Sequence, residues 1–414
     1  MNQRLGIAQE NAKSPNVSDR TDLGEPGHLG HTPRVRTKPA FAIVWLSLVV
    51  PACAAPPSGL GDGSSDLGRR DAARPDLPPP DSDLAHDTAL PDQPAGDLVP
   101  VVGNCWSTAP PGAPLAAPLP AFSGGTCPTL VAGSNTILSQ GAQRTFVIVL
   151  PSSPLPGESY PVLFLWYWLK GSASDFISKG EVQAAVDQQR FIAVVPEAKG
   201  DLDLLGFPLP WPFTTFTAQA RLQEELVFFD DMLACVGQQY PINRECVSTV
   251  GVSAGALFGS QLAAARSQHL ASFISLSGGI GGGGGVNAFI RSWSTPPARK
   301  LPAMVLWGGP ADTCITLNFQ VASQALEQQL IAGGHFFVEC VHNCKHGEPP
   351  LDPAPGTSKY AAIWDFAFNH PFWLPAGQSP FLAGLPSGFI AWCGVGQGSA
   401  VPRTGTCPPP GCPF

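Results

Sequence analysis

Charged side chains are scarce in this chain. Only 23 Lys and Arg and 31 Asp and Glu occur among 414 residues, 13% of the total, and the formal net charge is −8. That balance offers no basic stripe to neutralise phosphates, so the sequence carries no footprint of nucleic-acid binding. Long apolar runs are missing as well. The run at 40–50, AFAIVWLSLVV, has eleven residues, too few to span a bilayer. No pair of C-x-x-C motifs is present to build a four-cysteine metal site. The glycine run at 278–285 lacks the Lys-Ser/Thr of a phosphate loop and does not lead into a predicted helix, so it reads as a flexible loop near the mouth of a site. No internal repeat is evident.

Proline (46), glycine (45) and cysteine (11) are what the chain has in quantity. The short apolar run follows Arg34, Arg36 and Lys38, the order of a signal peptide's basic and hydrophobic regions. It ends in V-P-A-C-A-A, which has two readings. Cys53, preceded by the small Ala52, resembles the acylated cysteine of a bacterial lipoprotein, although Pro51 departs from the usual lipobox. Alternatively, Ala52-Cys53-Ala54 is an A-x-A site for ordinary signal peptidase. The lipoprotein reading is preferred because a long polar tether follows, and a lipid anchor at Cys53 is then the one membrane contact expected. Residues 1–33 are long for the basic region, which suggests a start near Val35. Residues 54–103 hold nine Asp against three Arg and almost no aromatic residues. Such a segment cannot bury enough apolar surface to offset its chain entropy and is expected to be disordered. The organisation expected is therefore a leader over 1–53, a tether over 54–103, and one globular domain with a Cys-rich tail over 104–414. Without Cys53, ten cysteines remain, an even number that suits up to five disulfides in an oxidising compartment. Cys235 and Cys246 flank a helix end and a strand start and are expected to pair. Cys340-x-x-x-Cys344 reads as disulfide cysteines rather than metal ligands.

Within the globular part, strands alternate with helices. Apolar, β-branched runs at 144–150, 161–167, 191–196, 246–251, 272–276, 303–307 and 335–341 read as strands. Helical patterns occupy 175–190, 218–239, 254–268, 317–333 and 358–369. This alternation predicts an α/β fold with a mostly parallel sheet covered by helices on both faces. Sites in such sheets lie beyond the carboxyl ends of the strands.

One of those ends carries G-x-S-x-G, at Gly251-Val252-Ser253-Ala254-Gly255, between a β-branched strand and a run of small helix formers. That is the order a nucleophile elbow requires, with Ser253 on a strained turn and the Ala254 N–H aimed at a developing oxyanion. A serine hydroxyl needs a histidine to take its proton, and the histidine needs a carboxylate to orient it. Asp312 follows the strand at 303–307, and His342 and His346 follow the strand at 335–341. His346 is preferred as the base because reaching the serine needs a longer excursion from the strand end. His342 is expected to be packed locally. The second oxyanion donor should come from the loop after strand 161–167, where the N–H of Trp168 or Leu169 is the candidate. Asp230 and Asp231 read as solvated or helix-anchoring, and His335 and His370 as structural. Trp166, Trp168, Trp211 and Phe213 either wall an apolar pocket or pack in the core.

Residues 140–395 resemble the extracellular esterase group that includes polyhydroxybutyrate depolymerase-like, feruloyl esterase-like and acetyl-xylan esterase-like α/β-hydrolases. The matching pieces are GSASDF at 171–176, DDMLAC at 230–235, GVSAG at 251–255, WGGPAD at 307–312, C-x-H-N-C-x-H at 340–346 and WDFAFNHP at 364–371. The resemblance implies Ser253, Asp312 and His346 as the triad and calls for no metal or cofactor. It also implies an exported serine carboxylesterase acting on polyester or oligomer, or on feruloyl or acetyl esters of polysaccharide. The chain departs from the group in three places. Tyr167-Trp168 stands where His-Gly is common, and Lys170 and Lys345 stand where glycine is common. Competing readings are a non-catalytic surface protein that keeps the fold as a binding module, and a serine peptidase with the same triad.

Overall fold

The computed structural model describes residues 103–414, apart from 205, 410, 411, 413 and 414. The leader, Cys53 and the tether up to residue 102 lie outside the described residues. The sheet begins with the hairpin β1 (Gly133–Ser139) and β2 (Ala142–Val149), whose residues alternate between outward and buried positions. Such alternation suits a sheet edge packed on one face. β1 is not among the strands read from sequence. Its inward positions include Asn135 and Ser139, which break the apolar pattern, and Asn135 serves instead to hold the turn through Val131 and Gly133. β3 (Tyr160–Trp166) is buried at every position, as a central parallel strand must be. The segment 175–190, read as one helix, is two, α1 (Ala173–Lys179) and α2 (Val182–Gln189). The break falls at Gly180-Glu181, where Glu181 turns to a φ of 48°.

After β4 (Ile192–Pro196) comes a small ribbon, β5 (Leu202–Leu204) with β6 (Phe207–Leu209). The long helix α3 (Gln219–Gln239) then leads to β7 (Ile242–Val252), α4 (Ala254–Ala265) and β8 (Ser272–Leu276). β9 (Ala303–Trp307) is followed by a second ribbon, β10 (Thr313–Cys314) with β11 (Leu317–Asn318), and by α5 (Phe319–Gly333). β12 (Phe337–Val341), α6 (Ala361–Phe368) and the short β13 (Cys393–Val395) complete the described elements.

The nine sheet strands run β1-β2-β4-β3-β7-β8-β9-β12-β13. The pairs from β4 through β12 are parallel, while β1, β2 and β13 add antiparallel edges. Topology assigns the helices to faces. The step from β3 to β4 runs opposite to the later steps from β7 to β12, so right-handed crossovers put α1 and α2 on one face and α3, α4 and α5 on the other. α6 shares the α2 face, where Gln189 Nε2 donates to Asp365 Oδ1 at 2.6 Å.

This arrangement corrects one expected disulfide. Cys235 lies on α3 and bonds Cys127, whereas Cys246 lies in β7 and bonds Cys105. The Cys105 N–H donates to the carbonyl of Phe368, at the end of α6. The turn between α3 and β7 thus sends neighbouring cysteines to partners on opposite faces of the sheet. Cys340 and Cys344 are both disulfide-bonded, to Cys393 and Cys407, and Cys314 bonds Cys412. Five disulfides suit a protein folded in an oxidising compartment. Among the described residues, no helix is long and apolar enough to cross a membrane.

The core beneath the elbow is aromatic. Phe164 packs on Phe229 at 4.6 Å, and Trp166 on Phe258 at 4.7 Å, with the Trp166 N–H donated to Thr249 Oγ1 at 2.8 Å. α3 is fixed to β2 by charge. The fully buried Glu225 accepts from Arg144 at 2.9 Å and Arg221 at 2.6 Å, and the Arg144 guanidinium lies 3.9 Å from the Phe228 ring centre. Removing the central carboxylate strands the buried Arg144 guanidinium, while Arg221 keeps its pair with Asp201 at 2.9 Å. Glu225→Ala is therefore expected to cost about 3–5 kcal/mol of stability, read from urea denaturation. A loss within experimental error of zero would show that the carboxylate is not what holds α3 to β2.

Candidate active site

Ser253 stands between β7 and α4 with φ 54° and ψ −118°. Its neighbours explain how that conformation is possible. A Cβ on Gly251 would lie 2.4 Å from the Gly255 carbonyl oxygen, and one on Gly255 would lie 2.0 Å from that of Trp166. Both glycines are needed because the strand and helix backbones meet there. The Ser253 N–H is held by the Leu276 carbonyl at 2.8 Å, and Ala254 opens α4, where helix N–H groups have no intrahelical acceptor.

The three residues expected to act together do meet. His346 Nε2 is 2.9 Å from Ser253 Oγ, and His346 Nδ1 is 2.6 Å from Asp312 Oδ1. Asp312 is fully buried, and its other oxygen accepts from the Gly308 N–H at 2.7 Å and the Ser277 hydroxyl at 2.9 Å. The imidazole stacks on Phe319, with ring centres 4.1 Å apart. Ser277 and Phe319 were not singled out from sequence. The signal available for Ser277 was its place just past the end of β8, beside the strand that leads to Asp312. His342 does not join the triad. It is buried, accepts from the Cys344 N–H at Nδ1 and sets its ring against Trp392.

The other sequence candidates fall into place around this centre. Asp230 pairs with Arg266, and the buried Asp231 accepts from the backbone and hydroxyl of Ser123, so both anchor α3. His335 and His370 bond backbone carbonyls of Leu301 and Phe366. Of the four aromatic residues considered for a pocket wall, Trp166, Trp211 and Phe213 are core residues. Trp168 does line the cavity in front of Ser253, which measures about 330 Å³ and is walled also by Leu169, Phe176, Tyr360, Ile363 and Trp364. The glycine run is open only at its end, where Gly284 and Gly285 are exposed with no atom near enough to meet a Cβ. A Cβ on Gly278 would lie 2.3 Å from Ala256 Cβ, and one on Gly279 2.1 Å from the Ala322 carbonyl oxygen, so its first half is packed between α4 and α5. The described lining includes Leu276 and Ser277 but none of residues 278–285.

The loop bearing Trp168 and Leu169 is held by the residue that departs from the esterase group. The Tyr167 hydroxyl donates to Glu197 Oε2 at 3.1 Å and accepts from the Ala198 N–H at 2.8 Å. Burial pushes this phenol above its ordinary pKa, which keeps it a donor. Glu197 Oε1 accepts from the Ala173 N–H at 3.2 Å, beyond the loop, and the Tyr167 carbonyl accepts from Trp211 Nε1 at 2.8 Å. The two lysines found where glycine is common have φ of 60° at Lys170 and 58° at Lys345, the left-handed region that glycine tolerates best. The Lys345 side chain is exposed.

No family model matches the chain, and no curated protein matches it. Solved structures do. The native protein designated pOPH is 17% identical, with 66% of this chain and 97% of that chain covered at a TM-score of 0.52. The native protein designated sOPH is 18% identical, with 67% and 97% covered at 0.50. A ferulic acid esterase, 17% identical, covers 50% of this chain and 88% of its own at 0.39. At these identities the likeness is one of fold, and the chain has the α/β-hydrolase fold.

His342 supplies a pH test of the site's support. Burial holds its imidazole down at about 4, below the value near 6.5 of an exposed histidine. The folded state therefore binds its proton less readily than the unfolded state. Its contribution to stability is fully present above pH 6.5 and is lost as pH falls from 6.5 through about 4. Urea midpoints should fall over that window in the parent protein and fall less in His342→Asn. Equal falls in the two proteins would assign the acid sensitivity to other groups.

Proposed function

We propose that the protein is an exported serine carboxylesterase working through an acyl-enzyme on Ser253. The observation that carries this reading is His346 placed between Ser253 Oγ and Asp312 Oδ1, at 2.9 and 2.6 Å. His346 takes the hydroxyl proton as Ser253 Oγ bonds the acyl carbon, and Asp312 holds the ring and stabilises the imidazolium. The Ala254 N–H, with an N–H from Trp168 or Leu169, receives the oxyanion. His346 then gives its proton to the departing alkoxide, the carbon–oxygen bond breaks, and the acyl-enzyme remains. Water activated by the same histidine releases the acid and restores Ser253.

The apolar cavity walls favour an ester with a hydrocarbon or aryl group. Polyhydroxyalkanoate-type polyester or oligomer and feruloyl or acetyl esters of polysaccharide are the substrate classes proposed. Five disulfides, with a basic and apolar leader, support export. A lipid anchor at Cys53 is the form of export proposed. An inhibitor of lipoprotein signal peptidase should block processing of the precursor, and unchanged processing would point to ordinary secretion.

The chemistry is tested with a fluorophosphonate probe and with p-nitrophenyl acetate and butyrate. The disulfide-intact protein should be labelled and active. Ser253→Ala should lose both properties, and Asp312→Asn should lower kcat by about 10⁴-fold, because the imidazole loses its orienting acceptor. A folded parent that takes no label and cleaves no ester would leave the fold as a binding module.

A further inference from the structure

We propose that the C-terminal tail, residues 403–409 together with Cys412, is a built wall of the active-site cavity that limits the size of ester the enzyme accepts. The proposal rests on the serine-esterase reading and concerns a segment beyond the region that resembles the esterase group. Pro408, Pro409 and Cys412 line the same cavity as Ser253 and His346. Two disulfides fix them there, and both land beside the triad. Cys314, two residues past Asp312, bonds Cys412, and Cys344, two residues before His346, bonds Cys407.

Polar contacts set the tail's path before it reaches the cavity. The Arg403 N–H donates to the Val341 carbonyl at 2.9 Å, at the end of β12. Its guanidinium donates to Asn343 Oδ1 at 2.8 Å and to the Thr406 carbonyl at 3.0 Å, and Asn343 Nδ2 donates to the Gly405 carbonyl at 2.8 Å. The tail is thus pinned to the loop of the base at its start and to the loop of the acid at its end. Between these points two prolines, with restricted backbones and no N–H to offer a substrate, present apolar surface to the cavity. A wall held at both ends does not retreat from a long substrate, so it discriminates by length.

The test compares the parent with Cys314→Ser/Cys412→Ser, which frees the end of the tail and keeps the Cys344–Cys407 bond. Two ester series are read as ratios of kcat/KM: p-nitrophenyl octanoate to p-nitrophenyl acetate, and octyl acetate to ethyl acetate. In at least one series the long-to-short ratio should rise about tenfold, the scale of a lost steric limit in an apolar pocket. Pro409→Trp keeps both disulfides, narrows the cavity and should move the same ratio in the opposite direction. Ratios within about twofold of the parent in both series and both variants, with fluorophosphonate labelling retained, would overturn the proposal. Failure of the esterase reading gives a different result, an unlabelled parent. In that event calorimetric binding of the same esters to Ser253→Ala protein, with and without the disulfide, reads the wall without turnover. An unchanged preference between short and long esters there would overturn it too.

Discussion

The Asp312 carboxylate is the constraint on which the site depends. A buried carboxylate is tolerable only if its oxygens are hydrogen-bonded, and this one is fully buried. Its three donors come from three separate strand ends. Ser277 follows β8, Gly308 follows β9, and His346 sits in the loop after β12. Satisfying one charge therefore sets the spacing of three loops. It also leaves His346 Nε2 as the ring nitrogen facing Ser253. Ser253 needs no separate device to meet His346, because the elbow projects from β7, the neighbour of β8 in the parallel sheet.

The opposite side of the site is built by a different logic. Between β3 and α1 the chain turns at 167–172, where the Gly171 N–H donates to the Trp168 carbonyl at 3.0 Å and side chains carry the rest of the support. Tyr167 anchors the start of the loop, Glu197 joins that tyrosine to the Ala173 N–H at its end, and Trp211 takes the Tyr167 carbonyl. Glu197 itself lies just past the end of β4, the strand beside β3. A residue that looked like a departure affecting chemistry is thus a structural clamp. The chemical candidates, the N–H groups of Trp168 and Leu169, are backbone groups that tolerate the change of side chain.

Much of this is legible in the amino-acid sequence. The central strands announce themselves because they are buried on both faces and so are apolar without interruption, as in β3 and β9. The meeting of Ser253, Asp312 and His346 was legible because each follows a strand readable in the sequence, even where Ser248, Thr249 and Glu339 interrupt the apolar run, and the strand fixes its place in the sheet. What escaped were features with no local signature. β1 hides its inward positions behind Asn135 and Ser139, and the disulfides join segments more than 50 residues apart in sequence. The helix at 175–190 carries continuous helical periodicity, yet its break is decided by the backbone at Glu181. The glycine run shows the same limit from the other side. Composition suggests freedom throughout, while Gly278, Gly279 and Gly282 meet α4 or α5 too closely to admit a side chain.

Backbone strain gathers around the candidate site. Ser253, Ser277, Lys345 and Lys170 all hold positive φ, as do Ile315 and Thr316 in the turn between β10 and β11. For β-branched residues this is costly, on the order of 1–2 kcal/mol each, and the turn alone would not maintain it. Such conformations persist only where the surroundings over-determine them. Here the surroundings are covalent as well as packed. Cys314 is the residue before Ile315, and Cys344 the residue before Lys345, and both are tied to the C-terminal segment. The Lys345 carbonyl also closes on Gly308, where a Cβ would come within 1.8 Å of it. The loops of acid and base are therefore pressed together by backbone contact and held by two disulfides. Most of the ordering of the Asp312–His346 pair is paid during folding, as those disulfides form, rather than when a ligand arrives.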